Sequence, residues 1–263
     1  MRTLGDIKGF LLDMDGTIYV SDELLPKAAE MIGRLEETET PFLFLTNNSA
    51  ARATDYQAKL GRLGIQVGKE RILTSGEATI HYLLRETPHR KVYLLGTPAL
   101  EDEFKEAGLE LTHQEPDCVV LGFDMTLTYE KLTRAALLLA QGVPYYATHP
   151  DFTCITDEGL IPDTGAMIAA LETVVGRTPK IIGKPQPEMV SAGLERLGTT
   201  AQETAMVGDQ LDTDLTMAAS SDLFGVLVLS GETTQEKLEA QKEIQPDLVV
   251  EDIGALYGRL FEG

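Results

Sequence analysis

Two carboxylates, Asp13 and Asp15, stand one residue apart directly after the apolar run Phe10-Leu11-Leu12. Such a run is typical of a buried strand, so the two charges are expected at the carboxyl-terminal tip of that strand. Alternate side chains on a strand point to the same side, and two close acids repel each other unless a cation lies between them or one keeps its proton. Open α/β sheets bind ligands at such tips. The stretch therefore predicts a functional site.

Further along the chain, polar residues again follow apolar, strand-like segments. These residues are Thr46 and Asn47 after residues 41–45, Lys184 after residues 180–183, and Gly208-Asp209 with Asp214 after residues 204–207. In a single parallel sheet these strand ends would meet in one crevice. Carboxylates beside an ammonium group and a hydroxyl suit a hard cation and a phosphate, because Mg²⁺ prefers oxygen ligands and keeps water or substrate oxygens around it. The sequence therefore predicts a Mg²⁺ and phosphate site.

Other binding motifs are excluded by their spacing. Asp13-Met14-Asp15 does not begin a calcium loop, because the sixth position is Ile18 instead of Gly and the twelfth is Leu24 instead of Glu. Lys184 is followed by Pro185 and not by Ser or Thr, so it does not belong to a nucleotide P-loop. The sequence also contains neither a dinucleotide glycine fingerprint nor a histidine pair with zinc-protease spacing.

The composition restricts the partners of the protein. The 263 residues carry a formal net charge of -20, which would repel nucleic acid polymers and anionic membrane surfaces. Apolar runs such as residues 135–140 are far shorter than the ~20 residues of a membrane span, and the first residues lack the apolar core of a signal peptide. Cys118 and Cys154 have neither a metal spacing nor a disulfide framework. We therefore expect a cytoplasmic protein that binds a small phosphorylated metabolite.

Strand-like and helix-like segments alternate along the whole chain and predict an α/β fold. In the middle of the chain this alternation restarts near residue 91 and forms a complete small α/β unit without chemistry-bearing residues. The expected architecture is a doubly wound, Rossmann-like core with a parallel sheet, formed by residues 1–79 and 180–263. An α/β cap, residues 80–179, is expected to be inserted into this core.

The polar motifs, taken in order, resemble those of the haloacid dehalogenase (HAD) superfamily of aspartate-nucleophile phosphohydrolases. The matching residues are Asp13-Met14-Asp15-Gly16-Thr17, Thr46, Lys184, and Gly208-Asp209 with Asp214. Thr46-Asn47-Asn48-Ser49, Gly183-Lys184-Pro185 and the large insert between the second and third motifs are similar to the nitrophenylphosphatase branch. That branch includes phosphoglycolate, glycerol-phosphate and nucleotide monophosphatases. The resemblance covers essentially the whole chain and implies a Mg²⁺-dependent phosphatase with a cap that selects the substrate.

The resemblance also implies catalytic roles for the carboxylates. Asp13 would attack phosphorus in line and form an aspartyl-phosphate, which divides a slow hydrolysis into two easier steps. Asp15 would donate a proton to the leaving alkoxide and then accept one from the attacking water. Asp13, the backbone carbonyl of Asp15, and Asp209 would hold Mg²⁺, and Asp214 would orient a water on the ion, with Gly208 beside them.

Three residues are assigned to the phosphate by the same resemblance. The hydroxyl of Thr46 and the backbone N–H of Asn47 would bind phosphoryl oxygens. Lys184 would offset negative charge on both Asp13 and the phosphate. These three residues complete the expected substrate site.

Several other functions are compatible with parts of this pattern. A phosphotransferase or mutase would pass the aspartyl-phosphate to a sugar instead of to water. A non-catalytic phosphometabolite-binding protein would keep the pocket, although Asp15, which the proton transfer needs, argues against it. A signalling receiver takes its phosphorylated Asp from a later strand than its acidic pair and has no large insert, so the chain order disfavours it.

The chain departs from the branch pattern at two positions. It has His149-Pro150-Asp151 where the branch usually has Asn-Pro-Asp, and Ala218-Ala219-Ser220-Ser221 where the branch usually has an Ala-Gly turn. His149 is interpreted either as a substrate contact from the cap or as a solvated loop histidine. Specificity is expected from cap loops at residues 149–163 and from a turn at residues 165–167. A homodimer formed through the cap is one possible assembly.

Overall fold

A computed structural model describes residues 2–156, 158–241 and 243–262. Within these ranges the chain divides into two compact units, each built from separate segments. Unit 1 contains the described residues of 1–46, 53–73 and 189–263, and unit 2 contains those of 47–52 and 74–188. No helix of the described residues combines the length and the apolar character needed to cross a membrane.

The strands and helices alternate along both units. The strands are β1 (Gly9–Asp13), β2 (Tyr19–Val20), β3 (Glu23–Leu24), β4 (Phe42–Thr46), β5 (Ile72–Thr74), β6 (Lys91–Leu95), β7 (Glu110–Leu111), β8 (Cys118–Leu121), β9 (Tyr145–Ala147), β10 (Thr153–Thr156), β11 (Gly159–Pro162), β12 (Lys180–Ile181), β13 (Thr204–Gly208), β14 (Phe224–Val228) and β15 (Leu248–Val250). The α-helices are α1 (Ala28–Glu37), α2 (Ala53–Leu63), α3 (Ser75–Glu86), α4 (Pro98–Glu106), α5 (Tyr129–Ala140), α6 (Thr164–Val175), α7 (Pro187–Leu197), α8 (Thr216–Ser220), α9 (Gln235–Ala240) and α10 (Ile253–Phe261). Short 3-10 or π-helical turns are formed by Leu4–Asp6, Lys69–Arg71, Ala201–Glu203 and Leu211–Leu215.

Unit 1 is built around a six-stranded sheet with the order β15-β14-β13-β1-β4-β5. Strand β1 pairs in parallel with β13 on one side and with β4 on the other. All residues of β1, β4, β13 and β14 are buried, which explains their nearly continuous apolar sequences. The chain proceeds outward from β1 in both directions, so the strand order reverses beside β1. Doubly wound sheets bind ligands at this switch point.

Unit 2 has its own five-stranded sheet, with the order β12-β9-β8-β6-β7. All its strand pairs are parallel. Its core packs residues from β6, β8 and β9 against α5 and α6, including Leu95, Leu121, Leu139 and Leu171. The antiparallel hairpin β10-β11 lies in the segment between β9 and α6. In the five-stranded sheet, the strand order reverses between β6 and β8.

The predicted fold class is confirmed, and the strands expected before Asp13, Thr46 and Asp209 are β1, β4 and β13. One expectation about the sheet is wrong. Lys184 was expected after a strand of the sheet that carries Asp13, but the preceding strand β12 pairs with β9 in the sheet of unit 2. Two residues of β12 form this pairing, Lys180 with Tyr146 and Ile181 with Ala147. Local apolar pattern does not reveal which neighbour a strand this short will choose.

Smaller differences concern the ends of the elements. Helix α1 begins at Ala28, because Lys27 before it has a left-handed backbone with φ 61°. Residues 165–167, expected to form a turn, lie in the first turn of α6, which begins at Thr164. Part of the segment 149–163, expected to be a loop, forms strands β10 and β11. The predicted domain borders, after residues 79 and 179, differ from the observed division, in which residues 74–188 stay together in unit 2.

Candidate active site

Three carboxylates meet at the carboxyl-terminal edge of the sheet in unit 1. Asp13 is the last residue of β1, Asp209 follows β13, and Asp214 lies in the helical turn Leu211–Leu215. One carboxylate oxygen of each lies within 4.8 Å of those of the other two. All three residues are buried, with Asp209 2% and Asp214 1% exposed. Strand pairing produces this convergence, because β13 and β1 are parallel neighbours and their tips end at the same edge.

The carboxylate of Asp209 is held by the backbone around it. Its Oδ2 accepts a hydrogen bond from the N–H of Glu232 at 2.5 Å, and its carbonyl accepts one from the N–H of Thr233 at 3.2 Å. Gly16 and Gly231 pack against it so closely that a Cβ at Gly231 would overlap the carboxylate. At Gly16, φ is +80° and a Cβ would lie 2.5 Å from Oδ2. Only glycine fits at these two positions.

Asp214 is fixed in a similar way. The N–H of Gln210 donates to its Oδ2 at 3.2 Å, and a side chain at Gly208 would overlap its carboxylate. Gly208 therefore allows β13 to end directly against Asp214. All candidate metal ligands in this cluster are carboxylate oxygens. The glycines around the cluster leave space for these carboxylates because they have no side chain. This donor set fits a hard divalent cation such as Mg²⁺.

Asp15 differs from these three carboxylates because its side chain is exposed. The hydroxyl of Tyr19 donates to Asp15 Oδ2 at 3.3 Å, and the N–H of Gly16 donates to the carbonyl of Tyr19 at 2.8 Å. The ring of Tyr19 is fully buried, with Lys59 Nζ 3.9 Å from its centre. Burial raises the pKa of Tyr19, and the negative charge of Asp15 raises it further. Tyr19 therefore stays protonated and acts as a hydrogen-bond donor to Asp15.

Thr46 lies at the same edge of the same sheet. It is the last residue of β4, and the residue before it, Leu45, pairs in register with Asp13. Its side chain is largely buried. Thr46 and Asp13 are thus placed at neighbouring strand tips by the pairing of β1 with β4.

Asn47 and Lys184 are brought together within unit 2. The amide of Asn47 accepts from the N–H of Lys184 at 2.8 Å and donates to its carbonyl at 3.1 Å, so it binds the backbone of Lys184 at both ends. The same amide donates to Asp151 Oδ2 at 3.0 Å, and Ser75 Oγ donates to the carbonyl of Asn47. Both Asn47 and Lys184 are buried. These contacts fix the backbone of one residue to that of the other.

Residues 49–50 fill the carboxyl-terminal edge of the second sheet. Ser49 Oγ accepts from the N–H of Phe123 after β8 at 2.9 Å and contacts Thr148 Oγ1 after β9 at 3.0 Å. The carbonyl of Ala50 accepts from Thr97 Oγ1 after β6 at 3.0 Å. The switch point of this sheet, where an α/β fold commonly binds a ligand, is thus occupied by the chain itself.

His149 is completely buried, so the interpretation as a solvated loop histidine is wrong. Its Nδ1 lies 2.8 Å from Thr148 Oγ1 and its Nε2 lies 2.9 Å from Asp163 Oδ1. Asp163 also caps α6 through the N–H of Thr164 at 2.5 Å. Sequence reasoning did not assign an individual role to Tyr19, Ser49 or Asp163. Only the position of Tyr19 near Asp15 gave a local signal.

Two protein-family models match parts of the sequence and identify the family of the protein. A model described as haloacid dehalogenase-like hydrolase matches residues 10–110, and one described as HAD-hydrolase-like matches residues 181–256. These two ranges contain the strand tips described above. The chain belongs to the haloacid dehalogenase-like hydrolase family.

Individual relatives narrow this class to phosphatases. An acid sugar phosphatase of Staphylococcus saprophyticus is 34% identical, over 96% of this chain and 98% of the relative. The crystal structure of a 4-nitrophenylphosphatase from Thermotoga maritima is 44% identical with a TM-score of 0.93, over 97% of this chain and 98% of that one. A p-nitrophenyl phosphatase from Archaeoglobus fulgidus is 33% identical with a TM-score of 0.91, over 97% and 100%. The protein is a HAD phosphatase, and the predicted resemblance to the nitrophenylphosphatase branch is confirmed.

Proposed function

We propose that the protein hydrolyses small phosphomonoesters through an aspartyl-phosphate on Asp13, with Mg²⁺ as cofactor. The observation that carries this proposal is the cluster of Asp13, Asp209 and Asp214, with ligand oxygens within 4.8 Å of one another, at the strand tip that also carries Asp15. Three acids so close together need a positive partner, and a nucleophilic carboxylate beside a cation suits phosphoryl transfer.

Each carboxylate at the tip of β1 has a distinct task in this mechanism. Asp13 attacks phosphorus, and the bond between phosphorus and the leaving oxygen breaks. Asp15 gives its proton to that oxygen, and it later takes a proton from the water that attacks the aspartyl-phosphate. The Tyr19 hydroxyl, 3.3 Å from Asp15 Oδ2, holds the carboxyl group of Asp15 in one orientation. Hydrolysis then returns both residues to their starting states.

The remaining residues bind the cation and the phosphate. Mg²⁺, held by Asp13, Asp209 and the backbone carbonyl of Asp15 with Asp214 beside them, would supply the positive charge that shields the phosphate from the nucleophile. Thr46 and the backbone N–H of Asn47 are proposed to bind phosphoryl oxygens, and Lys184 to offset their charge. Asp214 and Gly208 support this arrangement.

The substrate is proposed to be a small phosphorylated metabolite. The relatives named above act on sugar phosphates or on nitrophenyl phosphate according to their names. The formal charge of -20 opposes binding of nucleic acid polymers and of anionic membranes. A cytoplasmic location is proposed with this substrate, because phosphorylated metabolites are found there.

Replacing the nucleophile tests the proposal directly. Asp13→Asn keeps the shape of the side chain but removes its nucleophilic oxygen, so turnover of 4-nitrophenyl phosphate with Mg²⁺ is expected to fall by about a thousandfold or more. Acid quenching with ³²P-labelled substrate should trap labelled protein in the wild type and none in Asp13→Asn. Asp22→Asn, which changes an exposed acid in the β2-β3 turn, is the control and should retain full activity.

A near wild-type turnover in correctly folded Asp13→Asn would overturn the mechanism. The same assay separates hydrolysis from phosphoryl transfer. With an added acceptor alcohol, a hydrolase should release mainly inorganic phosphate, whereas a transferase or mutase should give mainly the phosphorylated alcohol.

A further inference from the structure

We infer that His149 is a positioning residue for the phosphate-binding pair Asn47 and Lys184, and that it acts through the side chain of Thr148. This inference rests on the proposed function, because that function assigns Asn47 and Lys184 to the phosphate. Nothing in the family resemblance gives the histidine this task. The argument depends on a chain of buried hydrogen bonds inside unit 2.

The chain of hydrogen bonds contains four side chains. Asp163 Oδ1 is 2.9 Å from His149 Nε2, His149 Nδ1 is 2.8 Å from Thr148 Oγ1, and Thr148 Oγ1 is 3.0 Å from Ser49 Oγ. All four residues are buried, and both His149 and Thr148 have no exposed surface. Polar groups at such depth are costly unless they are hydrogen-bonded, so each link supports the next.

The direction of these hydrogen bonds follows from the available protons. Asp163 Oδ1 already accepts from the N–H of Thr164, so it is an acceptor and Nε2 of His149 is the donor in their contact. In a neutral imidazole Nδ1 is then an acceptor, and the hydroxyl of Thr148 must donate to it. Thr148 Oγ1 in turn accepts from the hydroxyl of Ser49, whose oxygen accepts from the N–H of Phe123 at 2.9 Å. One arrangement therefore satisfies every group, with a single tautomer of His149.

Thr148 connects this chain to both members of the phosphate-binding pair. Its hydroxyl binds Ser49, two residues after Asn47, and its carbonyl accepts from the N–H of Gly183, next to Lys184, at 2.7 Å. A Cβ at Gly183 would lie 2.7 Å from Asn47 Oδ1, so the backbone of Gly183 is packed tightly against the side chain of Asn47. A rotation of the Thr148 side chain would break its contact with Ser49, in the segment that carries Asn47, and the amide of Asn47 in turn binds the backbone of Lys184. His149 prevents this rotation by binding the Thr148 hydroxyl.

Replacing His149 by Asn or by Gln tests the two imidazole nitrogen atoms separately. In His149→Asn the side-chain oxygen takes the place of Nδ1 and still accepts from Thr148. In His149→Gln the amide reaches the place of Nε2 and still binds Asp163, but Thr148 loses its acceptor. If positioning acts through Thr148, His149→Asn should stay within about twofold of the wild type. His149→Gln and His149→Ala should raise KM for 4-nitrophenyl phosphate and the inhibition constant of inorganic phosphate by about tenfold.

The carboxylate cluster lies in unit 1, so the Mg²⁺ concentration for half-maximal activity should not change in these variants. A merely destabilising change would instead lower the amount of active protein and leave KM unaltered. Direct titration of inorganic phosphate by calorimetry gives a readout that does not depend on turnover. His113→Ala, which removes an exposed histidine of the same unit, is the matched control.

Thr148→Val provides a second test if His149→Ala fails to fold, because it removes only the hydroxyl. It should weaken phosphate binding like His149→Gln, and Thr148→Ser should restore it. The inference is overturned if folded His149→Ala or Thr148→Val binds phosphate as the wild type does. It is also overturned if His149→Asn is as impaired as His149→Gln. A wild-type protein that neither binds phosphate nor turns over the substrate would instead contradict the proposed function.

Discussion

At the scale of single residues, the candidate site depends on glycines as much as on acids. Gly16 and Gly231 both pack against the carboxylate of Asp209, and Gly208 packs against that of Asp214. A carboxylate in such a setting cannot rotate away from its neighbours. Its charge is thereby kept where a cation would bind, at the cost of holding like charges together.

The first prediction concerns Gly231. In Gly231→Ala the new Cβ would overlap Asp209 Oδ2, so the carboxylate must move. We expect kcat/KM to fall by about a hundredfold and the Mg²⁺ concentration for half-maximal activity to rise. Gly33→Ala in α1 is the control, because a Cβ there meets nothing within 4 Å. It should leave activity unchanged and stabilise the protein by about 0.5–1 kcal/mol. Unchanged Mg²⁺ dependence in Gly231→Ala would contradict the assigned packing.

At the scale of secondary-structure elements, neighbouring strands bring distant residues into one cluster. Lys8, which precedes β1, and Glu203, which precedes β13, form a salt bridge at the opposite end of these strands from Asp13 and Asp209. The backbone N–H of Lys8 also donates to the carbonyl of Glu203 at 2.7 Å. The two strands are therefore connected at their starts by a side-chain and a backbone interaction.

The second prediction is a pH dependence of this connection. Hydrogen bonds from Lys8 and then Thr200 lower the pKa of Glu203 to about 2, compared with 4.5 for an ordinary Glu. A depressed folded-state pKa means that the contribution to stability is fully present above the unfolded-state value and is lost as the pH falls from about 4.5 to about 2. Glu203→Gln should therefore melt below the wild type at pH 6, and the difference in Tm should shrink as the pH approaches 2. A difference independent of pH would contradict this assignment.

The elements also explain which parts of the site were predictable. Asp13, Thr46 and Asp209 were predicted to lie at one sheet edge, because each ends a continuous apolar run and such runs are recognisable locally. Lys184 follows β12, whose two residues pair with the other sheet. The burial of His149 depends on Asp163, fourteen residues away in sequence and beyond a hairpin. Neither the pairing of β12 nor the contact between His149 and Asp163 can be read from a local sequence pattern.

At the scale of the whole molecule, a formal charge of -20 adds to the mutual repulsion of the three buried carboxylates. A bound divalent cation would relieve their mutual repulsion. Ligands that bind only the folded state raise its stability by mass action, by about 2.7 kcal/mol at a hundred times Kd. The metal site is therefore expected to be visible in the stability of the protein as well as in its activity.

The third prediction concerns metal removal. Addition of Mg²⁺ to metal-free protein should raise Tm, and chelation should reverse the increase. Asp209→Asn removes one of the three repelling charges, so the metal-free variant should melt at or above the metal-free wild type and should respond little to Mg²⁺. Differential scanning calorimetry with and without Mg²⁺ measures both effects. An equal Mg²⁺ response in the variant would exclude Asp209 as a ligand.

A homodimer formed through unit 2 stays a prediction. Unit 2 exposes the large apolar side chains of Phe152, Ile155 and Leu160, each more than 60% accessible, around the hairpin β10-β11. Analytical ultracentrifugation over a range of protein concentrations would determine whether the protein associates.

The sequence by itself determined the class of protein, the order of the motifs and the tips of β1, β4 and β13 as the place of the carboxylates and of Thr46. It did so because buried strands and the residues that end them are encoded by neighbouring positions. Only the tertiary structure decided that Lys184 and Asn47 are bound to each other within unit 2, that residues 49–50 fill the edge of the second sheet, and that His149 is buried between Thr148 and Asp163. These features depend on pairing and packing between residues far apart in the chain, which no local pattern specifies.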